Sequence, residues 1–237
     1  MAGRKEPCRL YESGQLRRVT GDTIRPGGFK LTERALAVCS FPPGARVLDV
    51  GCGSGATVKY LIDRHNLAAV GVDPSAMLLA EGLRRRPGLP LVPGRGENLP
   101  FADGRMDGVF AECTLSVMED AGRALREFHR VLKPDGMLAV ADVYVREPLA
   151  ARALRHLRPE GCLTGALSWE ELTAKITAAG FKILLWEDHS RLLAELAARL
   201  ILADIPLAAL GGNQPDIRSA IKNARPGYLL IIARKPG

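Results

Sequence analysis

Short apolar runs alternate with amphipathic stretches over residues 46–143, and this alternation predicts a parallel sheet with helices on both faces. The runs at 46–50, 68–72, 89–92, 107–111 and 137–143 are bounded by Gly, Pro or Asp, as buried strands are. Between them, 57–65, 75–85 and 122–132 read as helices. Leu125, Phe128, Val131 and Leu132 fall on one face of the last. Ser75 is the expected N-cap of its helix, with Gly88 beyond the end, and Lys133-Pro134-Asp135-Gly136 is the expected turn into the fifth strand. Before the first strand, 31–40 reads as a helix capped by Thr32 and stopped by Pro42-Pro43-Gly44.

After Tyr144 the pattern loosens. Residues 149–157 read as a basic helix, and Ser168-Trp169-Glu170-Glu171 is a capping box opening a helix that ends at Gly180. Strands are expected at 181–186 and 228–233, with helices at 190–203 and 215–224. The simplest organisation is one α/β domain over 44–237, preceded by a cover segment and helix at 1–43. Residues 146–168 and 190–225 are read as cap-like additions over the ligand-binding edge.

Chemistry enters at the first strand. Val47-Leu48-Asp49-Val50 runs into Gly51-Cys52-Gly53-Ser54-Gly55-Ala56 and then a helix, so free N–H groups and a positive dipole end face a ligand. Asp73 follows about 20 residues later, which fits a dinucleotide fingerprint. Asp49 favours another ligand: its carboxylate before the first glycine would repel a pyrophosphate but hold the ammonium of S-adenosyl-L-methionine. The turn alone leaves both NAD and S-adenosylmethionine open.

Composition narrows the class. A chain of 237 residues, 47% hydrophobic and 25% charged, can bury one sizeable core. No apolar run approaches the roughly 20 residues needed to span a bilayer, and the first residues lack the apolar core of a secretory signal. The expectation is a cytoplasmic protein without a membrane partner. The formal charge of +7 raises nucleic acid as a partner. Arg84-Arg85-Arg86 is the one arginine run, however, and it sits at a helix end, while aromatics make up only 5% of the chain, so stacking platforms are not evident. Five cysteines without a CxxC pair argue against a zinc site or a disulfide framework.

Taken together, Val47–Gly55, Gly71-Val72-Asp73-Pro74-Ser75-Ala76-Met77, Glu97-Asn98-Leu99-Pro100-Phe101, 107–109 and 125–136 resemble the class I S-adenosylmethionine-dependent methyltransferases in order and spacing. The resemblance implies a Rossmann-like seven-stranded, mostly parallel sheet with its last strand antiparallel. It also implies that Asp49 and the backbone of Gly51 and Gly53 hold the methionine moiety and Asp73 both ribose hydroxyls, with Cys52 and Gly55 in the same donor-binding set. Met77 would pack on the adenine and Ala111 and Glu112 would flank the sulfonium, with Pro74, Ser75, Gly96 and Glu97 completing the donor-binding residues. Arg95 stands where relatives carry an acid for the adenine amine, and a guanidinium offers no acceptor.

A narrower likeness is to arsenite methyltransferases, carried by Glu112-Cys113 and Gly161-Cys162-Leu163-Thr164-Gly165-Ala166-Leu167. It would make Cys52 and Cys162 thiolate ligands, although no cysteine follows Cys162 to supply a third. A soft acceptor would need no strong base, whereas an oxygen acceptor would; Glu112, Tyr144 and His156 are the candidates. The implied activity is methyl transfer to a small molecule, such as a thiol or another soft nucleophile. The alternatives are a protein or RNA methyltransferase, or a catalytically silent or dinucleotide-binding relative. Oligomeric state is not legible.

Overall fold

The computed structural model describes residues 9–12, 14, 16–156, 161–205 and 215–237. The first elements are the single-turn helices α1 (Arg9–Glu12) and α2 (Arg17–Thr20), followed by α3 (Lys30–Cys39). The expected alternation follows as β1 (Arg46–Val50), α4 (Ala56–His65), β2 (Ala68–Asp73), α5 (Ala76–Arg85), β3 (Leu91–Pro93) and β4 (Met106–Glu112). A short 3-10 turn (Leu115–Val117) leads to α6 (Ala121–Val131), β5 (Leu132–Val145) and α7 (Pro148–His156). The chain closes with β6 (Leu167–Ser168), α8 (Trp169–Ala178), β7 (Lys182–Asp188), α9 (Ser190–Leu202), α10 (Pro215–Ala224) and β8 (Pro226–Arg234).

The strands lie in the order β3-β2-β1-β4-β5-β8-β7, and β8 runs antiparallel to both of its neighbours. This is the expected Rossmann-like sheet, with one addition. The two-residue β6 pairs with β5 and makes an eighth strand, too short to leave any alternation in the sequence. Alternate residues of the strands feed two cores. Val47, Phe110, Ala139 and Tyr228 pack with α3, α4, α7 and α9, while Leu48, Val109, Leu138 and Leu229 pack with α6 and α8. Among the described residues no helix is long and apolar enough to cross a membrane.

Caps fall where side-chain chemistry puts them. The Ser75 hydroxyl accepts from the Leu78 amide, Asp120 accepts from Arg123, and Ser168 with Glu171 forms the full capping box. Thr32 is a correction. The helix it was expected to cap begins at Lys30 after Phe29, without a side-chain cap, and Thr32 is buried inside it with its hydroxyl turned toward Glu112. The expected turn at 133–136 is also revised. It is a bulge within β5, where pairing jumps from Met106 with Leu132 to Gly108 with Met137 and Asp135 takes φ 60°.

The order reverses between β1 and β4, so their carboxyl ends open a crevice at the switch point of the sheet. Asp49 of β1 lies opposite Gly71 of β2 and Phe110 of β4. Asp73 ends β2 and Glu112 ends β4, which brings three acids to one edge.

Candidate functional site

Gly51 shows why the turn after β1 is glycine-rich. It adopts φ +77°, and a Cβ there would fall 2.2 Å from the Thr114 hydroxyl oxygen. Backbone therefore forms one wall of a cavity of about 510 Å³ that opens at the strand ends. That size suits a nucleotide-like ligand with a small partner.

Asp73 is fixed by its surroundings. Its Oδ2 accepts from the Gly53 amide and its Oδ1 from the Ser75 amide, both at 2.8 Å. Two carboxylate oxygens have lone pairs to spare beyond those bonds, so ligand hydroxyls can still be held. Asp49 is the opposite case. It is 3% exposed, and no hydrogen bond from the described residues offsets that burial. Desolvation first, then the nearby charges of Glu112 and Asp73, push its carboxyl up to about 8, against the opposing pull of Arg25.

Glu112 is bound on every side. Arg25 Nη2 lies 3.0 Å from its Oε2, the Thr32 hydroxyl donates to Oε1 at 2.8 Å, and Thr57 donates to Oε2 at 3.3 Å. Arg25 also donates to Thr57 and Thr32 and, through Nε, to the Gly28 carbonyl at 2.9 Å. An expected general base is thus one half of a buried ion pair. Its partner comes from the segment before α3 that was expected only as a cover.

The segment before α3 lines the cavity with Tyr11, Glu12, Arg17 and Asp22–Arg25. Polar contacts tie it to the helix below: Ser75 donates to Glu12 at 2.7 Å, Arg17 pairs with Glu81, and Asp22 pairs with Arg85. The arginine run at the end of α5 is accordingly engaged in part by this segment. From the far side, Arg199 of α9 donates to the Val19 carbonyl.

Most expected ligand residues reach the cavity: Asp49, Gly51, Cys52, Gly53, Asp73, Pro74, Ser75, Gly96, Glu97 and Glu112 all line it. Gly96 makes room for the Met118 thioether, and Glu97 accepts from the Glu119 amide at 2.9 Å. Arg95 also lines the wall and pairs with Glu119.

Others are placed elsewhere. Met77 is half exposed and outside the wall, because α5 turns its neighbour Leu78 inward instead. Gly55 packs under Leu89 and Leu91, and Ala111 is sealed in the core. Tyr144 points away and donates to Asp188 at 2.7 Å, with Arg146 stacked over its ring. The His156 side chain lies outside the described residues.

The cysteines divide similarly. Cys52 is in the wall with its thiol pressed toward Gly71, whereas Cys162 is buried behind Gly161 and Thr164. Cys113 lines the cavity with φ 55°, and its sulfur lies 3.2 Å from the Tyr228 hydroxyl. Burial pushes the thiols of Cys52 and Cys113 upward, so both are held protonated. The additions also separate. Gly161, Thr164, Gly165 and Leu167 face the cavity, while no described residue of 190–225 does. Instead α9 packs on β8 and buttresses α2.

Comparison with known proteins agrees with this geometry. Residues 48–140 match the model of a methyltransferase domain family. A demethylmenaquinone methyltransferase of Beutenbergia cavernae is 39% identical over 125 residues, 52% of this chain and 52% of that protein. The chain thus spans about half the length of that curated relative. Methyltransferase GfsG of Streptomyces halstedii is 29% identical over 238 residues, 91% of this chain and 83% of that protein. Among solved structures, the [4+2]-cyclase SpnF superposes with a TM-score of 0.68 at 28% identity, covering 92% of this chain and 84% of that one.

Proposed function

We propose, from the methyltransferase domain over residues 48–140, that this chain transfers a methyl group from S-adenosylmethionine to a small molecule. The observation that carries the reading is Asp49, a buried carboxyl in the wall of a cavity that opens at the strand ends, with no hydrogen bond from the described residues to offset its burial. A ligand ammonium beside bare glycine backbone supplies the missing cation, and a pyrophosphate would not. Asp73 and the Ser75 side of the cavity would hold the ribose.

The donor, when bound, supplies an electrophilic methyl carbon. The chain's own residues hold it, aim the acceptor and keep water away. Tyr11, Glu12, Arg17 and residues 22–25 line the cavity on the side of α5, which suits a small acceptor. Cys52 and Cys113 stand in the wall as protonated thiols, so neither offers a thiolate to arsenic or to another soft centre in this state.

Calorimetry with S-adenosylhomocysteine and with NADH tests the reading. Wild type is expected to bind the first and not the second, and Asp73→Ala to lose about 100-fold or more in affinity, the sum of two hydroxyl contacts at roughly 1.4 kcal/mol each. Preference for NADH would overturn it. Transfer of a labelled methyl group across an acceptor panel then separates an enzyme of this class from a relative that only binds the donor.

A further inference from the structure

Beyond the tip of β4, Ser116 is seated in the cavity wall by a residue that the wall itself does not show. Its amide donates to Asp142 Oδ2 at 3.0 Å, and its hydroxyl donates to Oδ1 at 2.7 Å. Asp142 belongs to β5, is 2% exposed, and accepts further from the Val143 amide at 2.7 Å. It is absent from the cavity lining, whereas Ser116 is part of it. The turn is held from the other side as well. A Cβ on Gly165 would fall 1.9 Å from the Ser116 carbonyl oxygen, so the two backbones are in close contact.

A serine hydroxyl has one proton and two lone pairs. Here the proton is committed to a carboxylate in a charge-assisted bond. What Ser116 can offer the cavity is therefore an acceptor, and a ligand group there must donate. A thiol ionises near pH 8.5 and attacks without much help, and an amine attacks in its neutral form. A phenol, with its pKa near 10, remains protonated at neutral pH and gains from a partner that removes its proton.

Resting on the methyl-transfer reading of the same cavity, we propose that Ser116, held by Asp142, receives the hydroxyl proton of a phenolic acceptor and passes its own to Asp142. The acceptor oxygen forms its bond to the methyl carbon as the donor's carbon–sulfur bond breaks, with that electron pair going to sulfur. The phenolic proton moves to Ser116 Oγ while the Ser116 proton moves to Asp142 Oδ1, and after product leaves the proton returns from Asp142 through Ser116 to water in the cavity. Ser116 is the catalytic residue in this scheme and Asp142 a positioning residue that acts through it. Among the described residues, Cys113 is a titratable neighbour of Asp142, and it in turn meets Tyr228, Cys162 and Arg25.

The test uses the full chain, labelled donor, and hydroquinone and thiophenol as acceptor probes. Wild type is expected to methylate hydroquinone. Ser116→Ala should keep S-adenosylhomocysteine binding but lose about 100-fold or more in kcat on hydroquinone, with thiophenol far less affected. Ser116→Thr, which keeps the hydroxyl, should restore most of the loss. Asp142→Asn should flatten the fall in kcat below about pH 6, where burial places the Asp142 carboxyl.

Unchanged kcat in Ser116→Ala would overturn the proposal, as would equal damage in the Ala and Thr variants, which marks a purely structural turn. So would a wild type that binds S-adenosylhomocysteine but neither binds nor methylates hydroquinone. Failure of wild type to bind S-adenosylhomocysteine at all would instead remove the methyl-transfer reading, and this proposal with it.

Discussion

Arg25 and Glu112 face each other at 3.0 Å across the cavity wall, with side chains 8% and 3% exposed. A pair this dry adds little net stability, since desolvating two ions offsets their attraction, but breaking one side strands the other charge. Arg25→Met is expected to cost about 3–5 kcal/mol in urea unfolding. The double variant Arg25→Met with Glu112→Leu should recover most of it. Arg25→Lys should recover little, because an ammonium cannot reach Thr32, Thr57 and Glu112 together as the guanidinium fork does. Equal stability of Arg25→Met and wild type would show that the pair is not closed in solution.

Asp49 predicts a pH dependence for donor binding. Its carboxyl is pushed up to about 8 in the free protein, mainly by burial. A ligand ammonium favours the ionised form, so binding releases a proton. Affinity for S-adenosylhomocysteine should therefore climb with pH, by up to about tenfold per unit, and level off above about 8. The sign for stability is opposite. A carboxyl raised on folding favours the fold below its unfolded value near 3.9, and that contribution is lost as pH rises through the folded value. Asp49→Asn should gain stability over wild type between about pH 4 and 8 while losing ligand affinity. Thermal melts across that range and calorimetry in buffers of different ionisation enthalpy check the two halves. A flat affinity profile would place the ammonium elsewhere.

How far the chain could be read beforehand depends on range. The βα alternation, the Ser75 cap and the Ser168 capping box are local patterns, and the acids at 49, 73 and 112 reach one edge because sheet topology brings strand ends together. Thr32 misled because a threonine near a helix start looks like a cap, while its actual partner Glu112 lies 80 residues on. Arg25 left no trace for the same reason. Its contacts with Thr57 and Glu112 belong to the folded chain, and the residues around it in sequence carry no sign of them. Ser116 and Asp142 are 26 residues apart, on a loop and a strand, with no spacing that marks a pair. Met77 and Leu78 show the limit within a helix, since one residue of rotation decides which of them faces the cavity.

Ser168 offers a check on how α8 supports the cavity. Its hydroxyl accepts from the Glu171 amide and its amide donates to the Glu171 carboxylate, both at 3.2 Å. Ser168→Ala removes half of that box at a buried position and should cost about 1 kcal/mol, within a range of 0.5–2. The same helix carries Lys175 into the cavity wall. Faster amide exchange in the first turn of α8, with the sheet unchanged, is the expected local readout. Uniform exchange throughout the chain would mean that the cap is not a local anchor.

Gly165 and Gly88 separate two reasons for conserving space at a glycine. Gly88 has φ +80° and nothing within 4 Å of a built Cβ, so Gly88→Ala meets backbone strain alone, about 1–2 kcal/mol. Gly165 has no positive φ, but its Cβ would meet the Ser116 carbonyl oxygen at 1.9 Å. Backbone cannot swing aside as a flexible side chain does, so the turn at Leu115–Val117 must shift. The cost should be about 1–3 kcal/mol from overpacking, and the bond from Ser116 to Asp142 should loosen with it. Amide exchange at Ser116 is then expected to quicken in Gly165→Ala and to stay at the wild-type rate in Gly88→Ala. Matching exchange in the two variants would mean that Gly165 does not clamp the Ser116 turn.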